Sequence, residues 1–214
     1  MPHGQRIAEF LLSIGAVRLQ PNDPFIWASG IKSPVYCDNR MIYSHPEARN
    51  FVVDALASRV RSLHIEADVI AGTATAAIGW AALVADRLHL PFIYVRSKPK
   101  EHGAKKRIEG DLQPGRHVVV IEDLISTAGS SISTVEALRD EGQASVSDIV
   151  SIFSYGFDAA HEAAVCSNIH LHPLTSLATL LTVAVEQARI NPEDVDMIRS
   201  FAEEPQEWAR KMGL

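Results

Sequence analysis

Only two cysteines occur in 214 residues, Cys37 and Cys166, and they form no Cys-x-x-Cys pair. A disulfide framework is thereby excluded and a zinc site is not indicated, so both are expected to be small buried residues. No apolar run approaches the roughly 18 residues that a membrane-spanning helix needs. The start, MPHGQRIAEFLLSIGAV, is interrupted by Glu9 and reads as an amphipathic helix rather than a signal peptide, and the cytoplasm is the expected compartment. Excess positive charge is missing too. The formal net charge is −6, which argues against a broad nucleic-acid-binding face. With 47% hydrophobic and 21% charged residues, neither disorder nor a membrane protein is favoured, and the length suits one α/β domain spanning 1–214.

Against that background the one basic run is informative: Arg96, Lys98, Lys100, Lys105, Lys106 and Arg107. The chain around it alternates. Helical spacing runs from Gln5 to Ile14, with Gly15 placed to end it. Phe25 to Asn39 is rich in Trp, Val and Tyr around a Ser29-Gly30 turn, which predicts a hairpin of two short strands. A helix follows from Pro46 to Leu63, capped by Ser44 or His45. Then come a strand (Ala67 to Ala71), a helix (Ala76 to Leu88), a strand (Phe92 to Val95), a strand (His117 to Ile121), a helix (Ser130 to Glu141) and a strand (Asp148 to Ser154). Such alternation predicts parallel pairing with crossovers on both faces. Helical segments are expected near Ala159 to Cys166 and Thr175 to Glu186, and after Asn191-Pro192. Ser97 to Asp111 breaks the pattern, and a structureless stretch of about fifteen residues between strands is usually a functional lid or disordered.

The chemistry concentrates between Val118 and Ser131. A buried strand leads to Glu122 and Asp123 at its carboxyl end, where parallel sheets bind ligands. Ser126 to Ser131 then turns into a helix with small residues that let backbone N–H groups and hydroxyls converge on a phosphate. Adjacent carboxylates suit the vicinal diol of a ribose, directly or through hydrated magnesium. The bland alternative is a capped helix after a strand with two surface acids; acids and phosphate loop in this order tell against it. A Walker-type loop is excluded, because no Gly-Lys-Ser/Thr follows the glycine. Ala71-Gly-Thr-Ala-Thr75 is a second strand-to-helix turn able to receive phosphate. His170 and His172 alternate on a predicted strand without a third ligand at fitting spacing, and read as structural.

The Val118 to Ser131 segment resembles the pyrophosphate-ribose signature of the type I phosphoribosyltransferases. Ser29-Gly-Ile-Lys-Ser-Pro-Val-Tyr-Cys-Asp-Asn-Arg40, Ala71-Gly-Thr-Ala-Thr-Ala76 and Arg96-Ser-Lys-Pro-Lys-Glu-His-Gly103 resemble, in that order, segments of the orotate-using branch of that family, up to about Phe157. The resemblance implies a mostly parallel central sheet flanked by helices, with a mobile loop and a small hood drawn from about 1–45 and the C-terminal region. It implies transfer of ribose 5-phosphate from phosphoribosyl pyrophosphate to orotate, giving orotidine 5′-monophosphate, with Mg2+ carried by the donor near Glu122 and Asp123 rather than held directly by the protein. Lys100, His102 and Arg96 would stabilise the departing pyrophosphate, with Lys100 and His102 acting across a homodimer with shared sites. Donor contacts would further come from Thr73, Ala74 and Thr75, and from Glu122, Asp123, Leu124, Ile125, Ser126, Thr127, Ala128, Gly129 and Ser130. Ser126, Lys32 and Tyr36 would meet orotate, though Tyr36 also suits a half-buried strand aromatic. Two departures stand out. Ala76 lies near a lysine of some members, and Ser154-Tyr-Gly-Phe157 lies where some members place an orotate-contacting arginine. Transfer to another base, or a regulator sensing the donor, are the competing readings; Ser126 and the absence of a basic recognition helix weigh against them.

Overall fold

The computed structural model describes residues 2–27, 29–99 and 106–213. In chain order the elements are α1 (Pro2–Ser13), β1 (Val17–Leu19), β2 (Phe25–Ile26), β3 (Lys32–Ser33), β4 (Val35–Cys37), a 3-10 turn (Asn39–Ser44), α2 (Pro46–Arg61), β5 (Val69–Thr73), α3 (Ile78–Leu88), β6 (Phe92–Val95) and β7 (Ile108–Glu109). They continue with β8 (His117–Ile125), α4 (Gly129–Asp140), β9 (Ser145–Ser154), α5 (Asp158–Cys166), β10 (His170–Ser176), α6 (Leu177–Glu186), α7 (Pro192–Glu203) and α8 (Trp208–Met212).

A six-stranded sheet runs β10-β9-β8-β5-β6-β7, parallel except for the edge strand β7. Every residue of β5 is buried, as are Val118 to Glu122 of β8, which explains why these strands read as continuous apolar runs. Alternate side chains feed two cores. Ile70, Val119 and Ile121 join Trp80 and Val84 of α3 and the buried face of α2, while Val69, Ala71, Val118 and Val120 join Val135 and Leu138 of α4. From β5 the chain moves to β6 on one side, and from β8 to β9 on the other. The strand order thus reverses between two neighbours whose following helices lie on opposite faces, and that opens a crevice beyond their carboxyl ends. Two small ribbons, β1 with β4 and β2 with β3, complete the fold, the second built around the predicted turn at Gly30, whose φ is +85°.

Several boundaries differ from the sequence expectation. The strand predicted to end at Ile121 continues to Ile125, because β9 offers a partner all the way: Glu122 pairs Ser151, Leu124 pairs Phe153 and Ile125 pairs Ser154. The helix predicted from Thr175 begins at Leu177, since Thr175 and Ser176 still pair Phe153 and Ser154 of β9 as the end of β10. Within the stretch from Ser97 to Asp111, Ile108 and Glu109 form β7 against Val95 and Tyr94. His45 is the N-cap of α2, and Asn191 with Asp194 forms the capping box of α7. The cysteines depart from expectation as well. Cys166 is exposed because α5 turns Ala160 and Ala164 inward, and Cys37 is half-buried.

Candidate active site

The acid pair sits inside β8. Glu122 is buried; its carboxylate accepts from the Ser131 hydroxyl at 2.9 Å and from the Asp123 backbone N–H at 3.0 Å. Burial, and then the neighbouring Asp123 charge, push the Glu122 carboxyl up to about 8, and burial also raises Asp123. The pair therefore resists carrying two charges, and a cation or hydroxyl donors brought beside it relieve that resistance. Its backbone is held from far along the chain. The buried Asn39 donates from Nδ2 to the Asp123 carbonyl at 2.6 Å, and its Oδ1 faces the Cys37 thiol at 3.4 Å. Residues 126–128 then turn the chain, with Ala128 left-handed at φ +63° and capping α4. Leu124 and Ile125, expected as donor contacts, are strand residues, and Ile125 belongs to the core.

The second turn leaves β5. Thr73 ends the strand, buried, with its hydroxyl unpartnered among the described residues, and the Ala74–Thr75 peptide is cis. Tight packing sets this turn: a Cβ at Gly72 would lie 2.9 Å from the Ala81 Cβ and 3.0 Å from the Ala77 carbonyl oxygen. Tyr43, from the 3-10 turn, donates to the Ala76 carbonyl at 2.9 Å and stacks on Trp80 with ring centroids 4.4 Å apart.

Beyond the two turns lies a cavity of ≈550 Å³. The β2–β3 hairpin contributes Trp27, Ser29 and Ile31; Ser126 and Thr127 line it from the β8 turn, Phe157 follows β9, and residues 202–207 close it from the end of α7. Ser126, expected to meet the base, lines this cavity. Lys32 instead lines an adjoining depression with Gly30 and Arg210. Tyr36 is not among the cavity's lining residues. It is half-buried on β4, 5.5 Å from Phe25 and with the Arg18 guanidinium 5.0 Å from its ring, which is the strand-aromatic alternative of the sequence reading. The aromatic walls are Trp27 and Phe157. Trp27 adjoins the hairpin turn, but only the return of β9 to the hairpin brings Phe157 there.

Arg96, at the end of β6, sends its guanidinium 3.5 Å from Glu109 and gives its carbonyl to Arg107. Lys100 and His102 lie outside the described residues. His170 and His172 sit at the edge of the sheet on Asp148, with His172 Nε2 at 2.7 Å from its carboxylate. No group of three His, Cys, Asp or Glu suited to a metal ion occurs among the described residues.

A switch-point crevice, a pair of acids with Glu122 buried and a strand-to-helix turn suit an α/β enzyme that handles nucleotides, and the comparisons name its family. The family model described as "Phosphoribosyl transferase domain" matches residues 38–164, more than half of the chain. An orotate phosphoribosyltransferase of Bacillus caldolyticus is 48% identical over 202 residues, covering 94% of this chain and 97% of that one. The solved orotate phosphoribosyltransferase of Aeropyrum pernix superposes with a TM-score of 0.73 at 28% identity, covering 86% of this chain and 99% of that one. Leishmania donovani UMP synthase gives 0.77 at 28% identity; 93% of this chain is covered, but only 42% of that longer one. The chain belongs to the orotate phosphoribosyltransferase family.

Proposed function

We propose that the protein transfers ribose 5-phosphate from phosphoribosyl pyrophosphate to orotate, forming orotidine 5′-monophosphate and pyrophosphate in pyrimidine biosynthesis, as a cytoplasmic homodimer. The observation that carries this reading is the continuity of the acid pair in β8 with the phosphate turn and with Ser126 in the aromatic-walled cavity. Glu122 and Asp123 hold the ribose hydroxyls, residues 126–130 take the 5-phosphate, and 73–75 take the pyrophosphate. Ser126 meets the base between Trp27 and Phe157, with Lys32 or hairpin N–H groups supplying positive charge for the orotate carboxylate. As pyrophosphate leaves the anomeric carbon, Arg96, Lys100 and His102 offset the charge that develops on it, and such donors are commonly worth a few kcal/mol each. Magnesium carried by the donor, rather than held directly by the protein, would lie near the Asp123 and Glu122 carboxyl groups. When bound, that ion neutralises the diphosphate.

The chain is further read as one domain over 1–214, with hood elements from 1–45 and the C-terminal region. Two contacts support this: α1 packs on α6 and β3 on α8. The test is base selectivity. Purified protein with magnesium and phosphoribosyl pyrophosphate should consume orotate and spare guanine and uracil, and the reverse preference would refute the assignment. The shared site is tested by hybrids. Lys100→Ala subunits mixed with Asp123→Asn subunits should regain activity, because one of the two sites is then intact; no recovery in verified heterodimers would remove it.

A further inference from the structure

A chamber of ≈250 Å³ lies between the two turns. Five hydroxyl side chains line it, those of Thr73, Ser97, Ser130, Ser133 and Thr134, together with the Arg107 side chain and no carboxylate. Thr73 is 6% exposed, and its buried Oγ1 has no hydrogen-bond partner among the described residues. Arg107 is half-buried and held in a fixed plane: Nε donates to the Arg96 carbonyl at 2.8 Å and Nη1 to the Ser133 carbonyl at 3.0 Å. Both acceptors are neutral. The guanidinium has no carboxylate partner, and its Nη2 no acceptor, among the described residues. A partly desolvated cation without a counter-ion is costly unless an anion arrives. The chamber also opens at the first turn of α4, whose N–H groups favour negative charge. Donors, a cation whose side chain has only neutral acceptors and an orphaned buried hydroxyl thus meet around the chamber, and the Glu141 carboxylate reaches Arg107 only at its backbone N–H, at 2.9 Å.

We propose that this chamber is a phosphate subsite and that Arg107 is a binding residue for one phosphate of the pyrophosphate moiety, additional to Arg96, Lys100 and His102. The inference rests on the proposed transferase reading and deepens it, since Thr73 and Ala74 of the pyrophosphate turn line the same chamber. Two carbonyls pin the guanidinium, so it meets the ligand already oriented, as Arg does for phosphate elsewhere.

The test uses the full-length protein, calorimetric titration with pyrophosphate and with inorganic phosphate, and steady-state turnover of orotate. Arg107→Gln should weaken pyrophosphate binding about tenfold, the worth of one lost charge-assisted contact, while the orotate KM stays close to wild type and the Tm falls modestly because the Arg96 and Ser133 carbonyls lose their donor. Arg107→Lys should recover part of the loss, and inorganic phosphate should weaken in parallel. Pyrophosphate affinity unchanged in Arg107→Gln would overturn the proposal, as would a loss confined to inorganic phosphate. A fall in Tm with equal losses for orotate and pyrophosphate would also overturn it, leaving Arg107 a staple between β6 and α4. A wild type that turns over no orotate and binds no pyrophosphate would instead reject the transferase reading itself.

Discussion

The two strand-to-helix turns of the crevice share one geometry and differ in chemistry. After β5, the turn at 74–77 carries no charge, and its shape comes from packing: Gly72 under Ala81, and the Ala76 carbonyl held by Tyr43. After β8, the turn at 126–128 follows two acids, Glu122 buried and Asp123 half-buried, whose backbone is anchored by Asn39. The uncharged turn can offer main-chain N–H groups and threonine hydroxyls to a ligand, and the acidic one can also hold a cation. A single molecule with a diphosphate at one end and a phosphorylated ribose at the other uses both.

That contrast can be broken at either turn. The largest effect is expected from Asp123→Asn, which removes charge from the ribose end. Turnover should fall about 100-fold, the size of losing a preorganised charged contact, as read by orotate consumption. Glu122→Gln acts through pH. With the folded carboxyl raised to about 8 and the unfolded one near 4.5, the folded state holds a proton that the unfolded state has lost between those values. Wild-type stability should therefore be full below about 4.5 and decline as pH rises through 8, whereas the Gln variant, which keeps only the raised Asp123, declines less. At pH 9 the variant should be more stable by on the order of 2–3 kcal/mol in denaturant titrations, less than the full shift because Asp123 shares it. Asn39→Ala strands the Asp123 carbonyl, and about 2 kcal/mol of stability should go with it. Smallest is Tyr43→Phe, which frees the Ala76 carbonyl but keeps the stack on Trp80. About 1 kcal/mol is expected, with a several-fold rise in the phosphoribosyl pyrophosphate KM and little change for orotate.

Much of this was legible along the chain wherever local sequence decides the outcome. The apolar runs of β5, β6 and β8, Pro46 at the start of α2 and Asn191-Pro192 before α7 all sit where periodicity and capping chemistry put them. The acids, the phosphate turn and Ser126 were readable as one segment. What escaped depends on distant partners. Only the ladder with β9 extends β8 through Glu122 to Ile125, and only pairing with β6 makes Ile108 and Glu109 a strand. Tyr36 and Trp27 lie on the same hairpin region with similar local patterns, and only the position of Phe157 and of residues 202–207 decides which aromatic faces the cavity. Arg107 looked like one more charge in a basic run until the carbonyls of Arg96 and Ser133 fixed its place.

The division of labour between the turns is tested most directly by the separate affinities of the two products in two variants. Titrated with orotidine 5′-monophosphate and with pyrophosphate, Asp123→Asn should lose affinity chiefly for the nucleotide, and Tyr43→Phe chiefly for pyrophosphate. Equal losses of both products in both variants would contradict the account, because the two turns would then be a single undivided site.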